Sequence, residues 1–141
     1  MIFKKYTNRF KHDFIVESSV LDSFYAMRDG LDAAGIDIDI AQGWRGQKEQ
    51  DEAKANGLSN ASFGHSPHNF GVAFDICCAL KGQALGWPKD DALWAKIGEA
   101  GKYAGLVWGG DFKSIHDTDH FELPDWQKQN LTLYAEEPPL G

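Results

Sequence analysis

Cysteine is nearly absent. The two present, Cys77 and Cys78, are adjacent, which leaves nothing for a disulfide framework. Neighbouring cysteines rarely pair with each other, and neither has the spaced partner that a zinc knuckle needs, so both read as reduced residues of a buried strand. Long apolar runs are missing too: nothing approaches the roughly 20 residues that cross a bilayer, so no stable membrane insertion is expected. The first residues, MIFKKYTNRFKHDF, have early Lys and Arg but no apolar stretch behind them, which is not the pattern of a secretory signal. Synthesis in the cytoplasm is the expectation. Positive charge is also scarce. Fourteen Lys and Arg against 21 Asp and Glu leave a net charge of −7, the wrong sign for a phosphate-binding footprint, and no nucleic-acid partner is expected. The one basic cluster, Lys4, Lys5, Arg9 and Lys11, reads as a solvated face. No internal repeat, low-complexity tract or linker interrupts the chain. A single domain over 1–141 follows, expected as a monomer, with a loose polar tail at 135–141.

What the chain does have is enough apolar and aromatic material, 43% and 13% of residues, to close one core. Val20, Leu21, Phe24, Met27 and Leu31 recur at three- and four-residue steps, predicting a helix capped by Ser18 or Ser19 and stopped by Gly35. IDIDIAQ then alternates as a half-buried strand with Ile36, Ile38 and Ile40 on one side. The polar stretch GWRGQKEQDEAKANG has helix-forming composition and ends at Gly57; the Gly-, Ser- and Asn-rich piece after it reads as a loop. GVAFDICCAL is a second strand. A second amphipathic helix follows through Leu93, Trp94, Ile97, Ala100 and Ala104, opened by Asp90 or Asp91, and GLVWGG and HFEL supply two short strands. The pattern is α+β, a small, mostly antiparallel sheet flanked by helices.

One residue in this pattern poses a chemical question. Asp75 sits among Val72, Ala73, Phe74 and Ile76, where an unpaired carboxylate is costly. In a strand, Ala73, Asp75 and Cys77 share a face lined by small side chains, one wall of a cleft. A metal ion would settle Asp75, because a coordinated carboxylate keeps its charge at low solvation cost. His68, at the loop-to-strand edge, and His120, which opens the last strand, complete a set of three protein ligands with a fourth position left for water, as a catalytic zinc requires. Asp117, three residues before His120, is then placed to touch that water without being a ligand, as general base and acid, and a desolvated cleft is expected to raise its pKa. The spacing His116-x-x-x-His120 also echoes helical zinc sites, but FKSIHDTDHFELP has neither helical periodicity nor the required Glu. His65 reads as a rim residue, and Trp108 and Trp126 as core or cleft wall.

These residues resemble the signature of the LAS peptidases, which comprise D-alanyl-D-alanine carboxypeptidases, D-alanyl-D-alanine dipeptidases and phage L-alanyl-D-glutamate endopeptidases. Ser66, His68, Gly71, Ala73 and Asp75 match the first motif, and Asp117 and His120 the second, an acidic residue followed three positions later by His. AQGWR resembles the strand-ending Gly-x-Arg of the family, and VWGGDF is similar to the piece that precedes the second motif in the phage enzymes. The resemblance spans about 36–126 by motif order. It implies the Hedgehog and DD-peptidase type of fold, one zinc ion on His68, Asp75 and His120, Asp117 as base and acid, and Arg45 as substrate binder and oxyanion stabiliser. Ser66 would steady a ligand or a backbone group, and Glu122 would brace a ligand or merely end the strand.

The implied function is hydrolysis of the L-alanyl-D-glutamate bond in peptidoglycan stem peptides by a phage-type endolysin. It would be released to the wall through a partner such as a holin pore. Carboxypeptidase or dipeptidase action at D-alanyl-D-alanine on the same site is the alternative, as is a zinc-bearing wall-binding module without catalysis.

Overall fold

The computed structural model describes residues 1–141. The element order is β1 (Phe3–Thr7), β2 (Asp13–Glu17), α1 (Ser18–Ala33), β3 (Ile36–Gln42), α2 (Gln47–Ala55), β4 (Ala73–Leu80), α3 (Asp91–Tyr103), β5 (Val107–Trp108) and β6 (His120–Glu122). Four strands form one wholly antiparallel sheet in the order β3-β4-β6-β5. The α+β reading and the antiparallel sheet hold.

Helices α1 and α3 cover one face of that sheet. Val20, Leu21, Phe24, Met27 and Leu31 of α1 and Leu93, Trp94 and Ile97 of α3 meet Ile36, Ile38, Ile40, Phe74, Ile76 and Phe121 in a single core. Phe74 lies between Phe24 and Phe121, with ring centroids 5.4 and 5.6 Å away. Each fully buried ring of this kind removes enough apolar area to stabilise the fold by about 1.5–3 kcal/mol. Alternation along β4 does the rest: with Phe74 and Ile76 turned into the core, Ala73, Asp75 and Cys77 lie on the opposite face.

Near the N-terminus the sequence reading differs from the structure in two places. The N-terminus is a two-stranded antiparallel hairpin, β1 with β2, where the sequence suggested only a solvated basic face. The strand signal is weak because β1 buries only Phe3 fully. Its turn is held by Asn8, whose side-chain oxygen accepts from the N–H groups of Phe10 and His12, both at 3.0 Å, and by Lys11 at φ 65°. Arg9 is drawn away from solvent to Asp39 and Asp37, at 3.2 and 3.3 Å, so the basic cluster is partly neutralised. The second difference is the cap of α1. It is Glu17, not a serine; β2 runs straight into the helix, Ser18 is already helical, and the Glu17 carboxylate accepts from Ser19 N at 2.8 Å. A negative charge suits that positive helix end. Gly35 does close α1, at φ +80°.

Residues 135–141, expected as a loose tail, run back beside the hairpin. Gly141 N donates to Phe3 O at 3.1 Å, and Leu140 bridges to Phe3.

Candidate active site

The sheet register assembles the two motifs. Asp75 of β4 lies directly opposite His120 of β6, and Ala73 opposite Glu122. Directly opposed residues of an antiparallel pair share a face, so a one-residue slip would turn His120 into the core and dissolve the site. His68 arrives from a tight 3-10 turn, Pro67–Phe70, that precedes β4. Ser66 caps this turn: its hydroxyl accepts from His68 N at 3.3 Å, and Gly71 ends it at φ +73° with the Phe3 ring against its α-carbon.

The donor atoms converge. His68 Nε2 lies 3.3 Å and His120 Nδ1 2.9 Å from Asp75 Oδ1, with the two imidazole centroids 5.1 Å apart. Ligands about 2.0–2.1 Å from a tetrahedral zinc sit about 3.3 Å from one another, so the set fits that ion. The far nitrogen of each ring is held. His68 Nδ1 donates to Gly43 O at 2.8 Å, which leaves Nε2 to face Asp75. His120 Nε2 donates to Glu122 Oε1 at 2.8 Å, and Glu122 Oε2 accepts from Trp126 Nε1 at 2.8 Å. Glu122 therefore braces a ligand rather than merely ending a strand, and Trp126, read as core or cleft wall, anchors the brace. Such partners fix the ring orientation and raise ligand basicity. Burial alone would favour a neutral His120, yet its bonds to Asp75 and Glu122 win and raise its pKa to about 10. Asp75 is held below the usual carboxylate range; desolvation opposes this, and the two histidines override it.

Arg45 enters from the other edge. The register of β3 shifts between Ile40 and Gln42, and Ala41 and Gln42 line the cleft. Arg45 N donates to His68 O at 3.0 Å, which ties the Gly-x-Arg segment to the turn carrying the first ligand. Its Nη1 donates to Gln50 Oε1 at 2.9 Å, its Nη2 stands 3.9 Å from Asp75 Oδ2, and its Nε is buried without a partner. A buried, unpartnered donor is costly unless an incoming oxygen satisfies it. Burial lowers the Arg45 pKa while Asp75 and Asp117 oppose that, and a guanidinium remains charged throughout.

Sequence reasoning missed Gln50 and Asn69. Gln50 is fully buried on the otherwise polar α2; its oxygen accepts from Arg45 and from Asn69 Nδ2, at 2.9 and 3.1 Å, and its amide donates to Ser59 Oγ and Ala61 O. Asn69 also donates to Arg45 O at 3.0 Å and accepts from Ser66 N. Only the position of Gln50, five residues after Arg45, was there to be read, and amides look like surface in any composition.

The acidic pair is arranged differently from expectation. Asp117 is exposed, so the desolvated carboxylate expected there is not found. Desolvation falls instead on Asp119, pushed up to about 8 by burial and by the charges of Asp75 and Asp117, against the opposing bond from Trp87 Nε1 at 3.0 Å. Oxygen atoms of Asp75, Asp117 and Asp119 lie within 4.8 Å of one another. His116 is outside any helix and bonds Gly110 O, so the helical zinc arrangement is not formed. The whole group lines an open cleft of about 780 Å³, with His65 on its rim and the exposed side chains of Leu58, Trp87 and Ile115 around it.

A family model described as D-alanyl-D-alanine carboxypeptidase matches residues 59–123. The peptidoglycan L-alanyl-D-glutamate endopeptidase CwlK of Bacillus subtilis is 34% identical over 113 residues, a match covering 67% of this chain and 68% of that protein. Among solved structures, the L-Ala D-Glu endopeptidase ChiX of Serratia marcescens has a TM-score of 0.65 at 23% identity, over 80% of this chain and 84% of that one. The D,D-pentapeptidase VanY from the VanB-type resistance cassette, in complex with Zn(II), has a TM-score of 0.59 at 17% identity, over 85% and 78% of the two chains. These two structural likenesses carry the fold, and the level of identity to the Bacillus enzyme carries the family: the chain belongs to the LAS-type peptidases.

Proposed function

We propose that this peptidase is a zinc-dependent endopeptidase that hydrolyses the L-alanyl-D-glutamate bond of peptidoglycan stem peptides. The observation that carries the reading is the convergence of His68, Asp75 and His120 beside a buried, underused Arg45 and an exposed Asp117 in one open cleft. The identity to CwlK supports the choice of bond. One ion per chain would be held by His68, Asp75 and His120. When bound there, zinc supplies the Lewis acidity that makes water a nucleophile near neutral pH.

The protein's own groups do the rest. Asp117 takes the proton of the attacking water and returns it to the departing amine nitrogen, as its exposed position at the cleft allows. Arg45 meets a substrate carboxylate or the carbonyl oxygen as charge develops there, with Nη2, the nitrogen beside Asp75, as donor. Glu122 and Trp126 hold His120, and Ser66 holds the backbone of His68. Stem peptides are rich in carboxylates, so an anchored cation in an acidic protein suits them. The chain acts as a monomer at the cell wall, as an endolysin would, after release from the host cytoplasm through a holin pore.

The test uses a synthetic L-alanyl-D-glutamyl tetrapeptide and follows release of the new D-glutamate amine. Zinc-reconstituted protein should cut it, metal-stripped protein should not, and re-addition of zinc should restore the rate. Cleavage only of a terminal D-alanine would turn the reading to the carboxypeptidase that the family model describes. Zinc binding with no cleavage of either bond would leave a wall-binding module.

A further inference from the structure

The residues on either side of Arg45 are bonded to a segment far along the chain. Residues 131–141 form no helix and no strand, yet they cross the connection that carries Arg45. Trp44 Nε1 donates to Tyr134 O at 3.2 Å, and Gln47 N donates to Ala135 O at 3.0 Å, so the two bonds bracket Arg45 in sequence. Between them Gly46 passes so close that a Cβ would lie 2.6 Å from Ala135 O. The segment is itself anchored, because the Tyr134 ring packs edge-on against Phe3 at 5.3 Å and Phe3 abuts Gly71 at the end of the His68 turn. From the protein side the same connection is held by Trp44 N to Ile15 O at 2.7 Å and Arg45 N to His68 O at 3.0 Å. The loop is thus clamped on two sides, one of them built from residues beyond the family match, which ends at 123.

We propose that Trp44 is a positioning residue for Arg45, held by the main chain of Tyr134 and Ala135, so that the C-terminal segment sets where the guanidinium meets substrate. This rests on Arg45 contacting substrate, as proposed above. No contact with substrate is assigned to Trp44 itself.

The test is a double-mutant cycle in the zinc-loaded full chain, on the stem-peptide substrate that the wild type cleaves. Trp44→Phe removes the indole N–H and keeps an aromatic ring, though a smaller one; Arg45→Met removes the guanidinium. Trp44→Phe should lower kcat by about tenfold, with zinc content and KM near wild type, since small misplacement of a positioned group is expensive in rate. In the Arg45→Met background it should lower the rate no further, because residues acting as one unit are not additive. Gly46→Ala, whose methyl crowds Ala135 O, the Trp44 ring and the Glu49 carboxylate, should repeat that pattern. Wild-type kcat in Trp44→Phe, or an equal fractional loss in both backgrounds, would overturn the proposal. Wild-type kcat in Arg45→Met alone would instead remove the role of Arg45 on which it depends.

Discussion

Asp75 is tolerable among apolar neighbours because two histidines and, more distantly, a guanidinium converge on it. His68, Asp75 and His120 were legible in the sequence because ligand-type side chains at fixed spacing are rare by chance. Gln50 and Asn69 were not, because burial of an amide leaves no mark in the sequence. The environment of Asp117 was misjudged for a related reason: spacing placed it near the ligands, while which of two neighbouring aspartates loses solvent depends on the Trp87 loop. The residue scale gives two tests. Glu122→Gln weakens the brace on His120 and should cost about 10–100-fold in zinc affinity, read by competition with a chromophoric chelator; unchanged affinity would reduce Glu122 to a strand end. Asp117→Asn should keep zinc and lose about 10²–10⁴ in kcat, while Asp119→Asn keeps most of the rate. The reverse order would make Asp119 the base.

Among the elements, the helices were legible because both long ones carry an apolar stripe, β3 because it alternates, and β4 because it is a short apolar run after a Gly- and Ser-rich loop. The hairpin was not, since β1 offers one buried residue, while two lysines, a tyrosine and a threonine face outward or half out. Helix α2 was found by composition, but its purpose, to bring Gln50 beneath Arg45, came only with the packing. Gln50→Ala should therefore strand the Arg45 and Asn69 donors and destabilise the fold by about 1–3 kcal/mol in urea titration, with kcat falling as well. A surface-like response, with no change in midpoint, would contradict the network. At the α3–β6 contact, Gly101 faces the Phe121 ring so closely that no Cβ fits between them. Gly101→Ala should cost about 1–3 kcal/mol by overpacking, read from the same titration.

For the molecule as a whole, metal and fold are linked. Whatever binds the folded chain and not the unfolded one raises its stability, so removing zinc with a chelator should lower Tm, and adding it back should restore Tm. Identical melting curves with and without the ion would argue against a site assembled from two strands and a turn. The fold class and the motif-bearing part of the chain were legible because the motifs follow the sheet in order. The contribution of the C-terminal segment was not, because Tyr134 and Ala135 take part through backbone carbonyls, which accept whatever the side chain is. As proposed, this cleft cuts one particular bond of the stem peptide. The most direct measurement is mass spectrometry of muropeptides released from purified peptidoglycan by the zinc-loaded protein. The expected result is glycan bearing muramyl-L-alanine together with free peptides that begin at D-glutamate. Stem peptides left intact at that bond would contradict it.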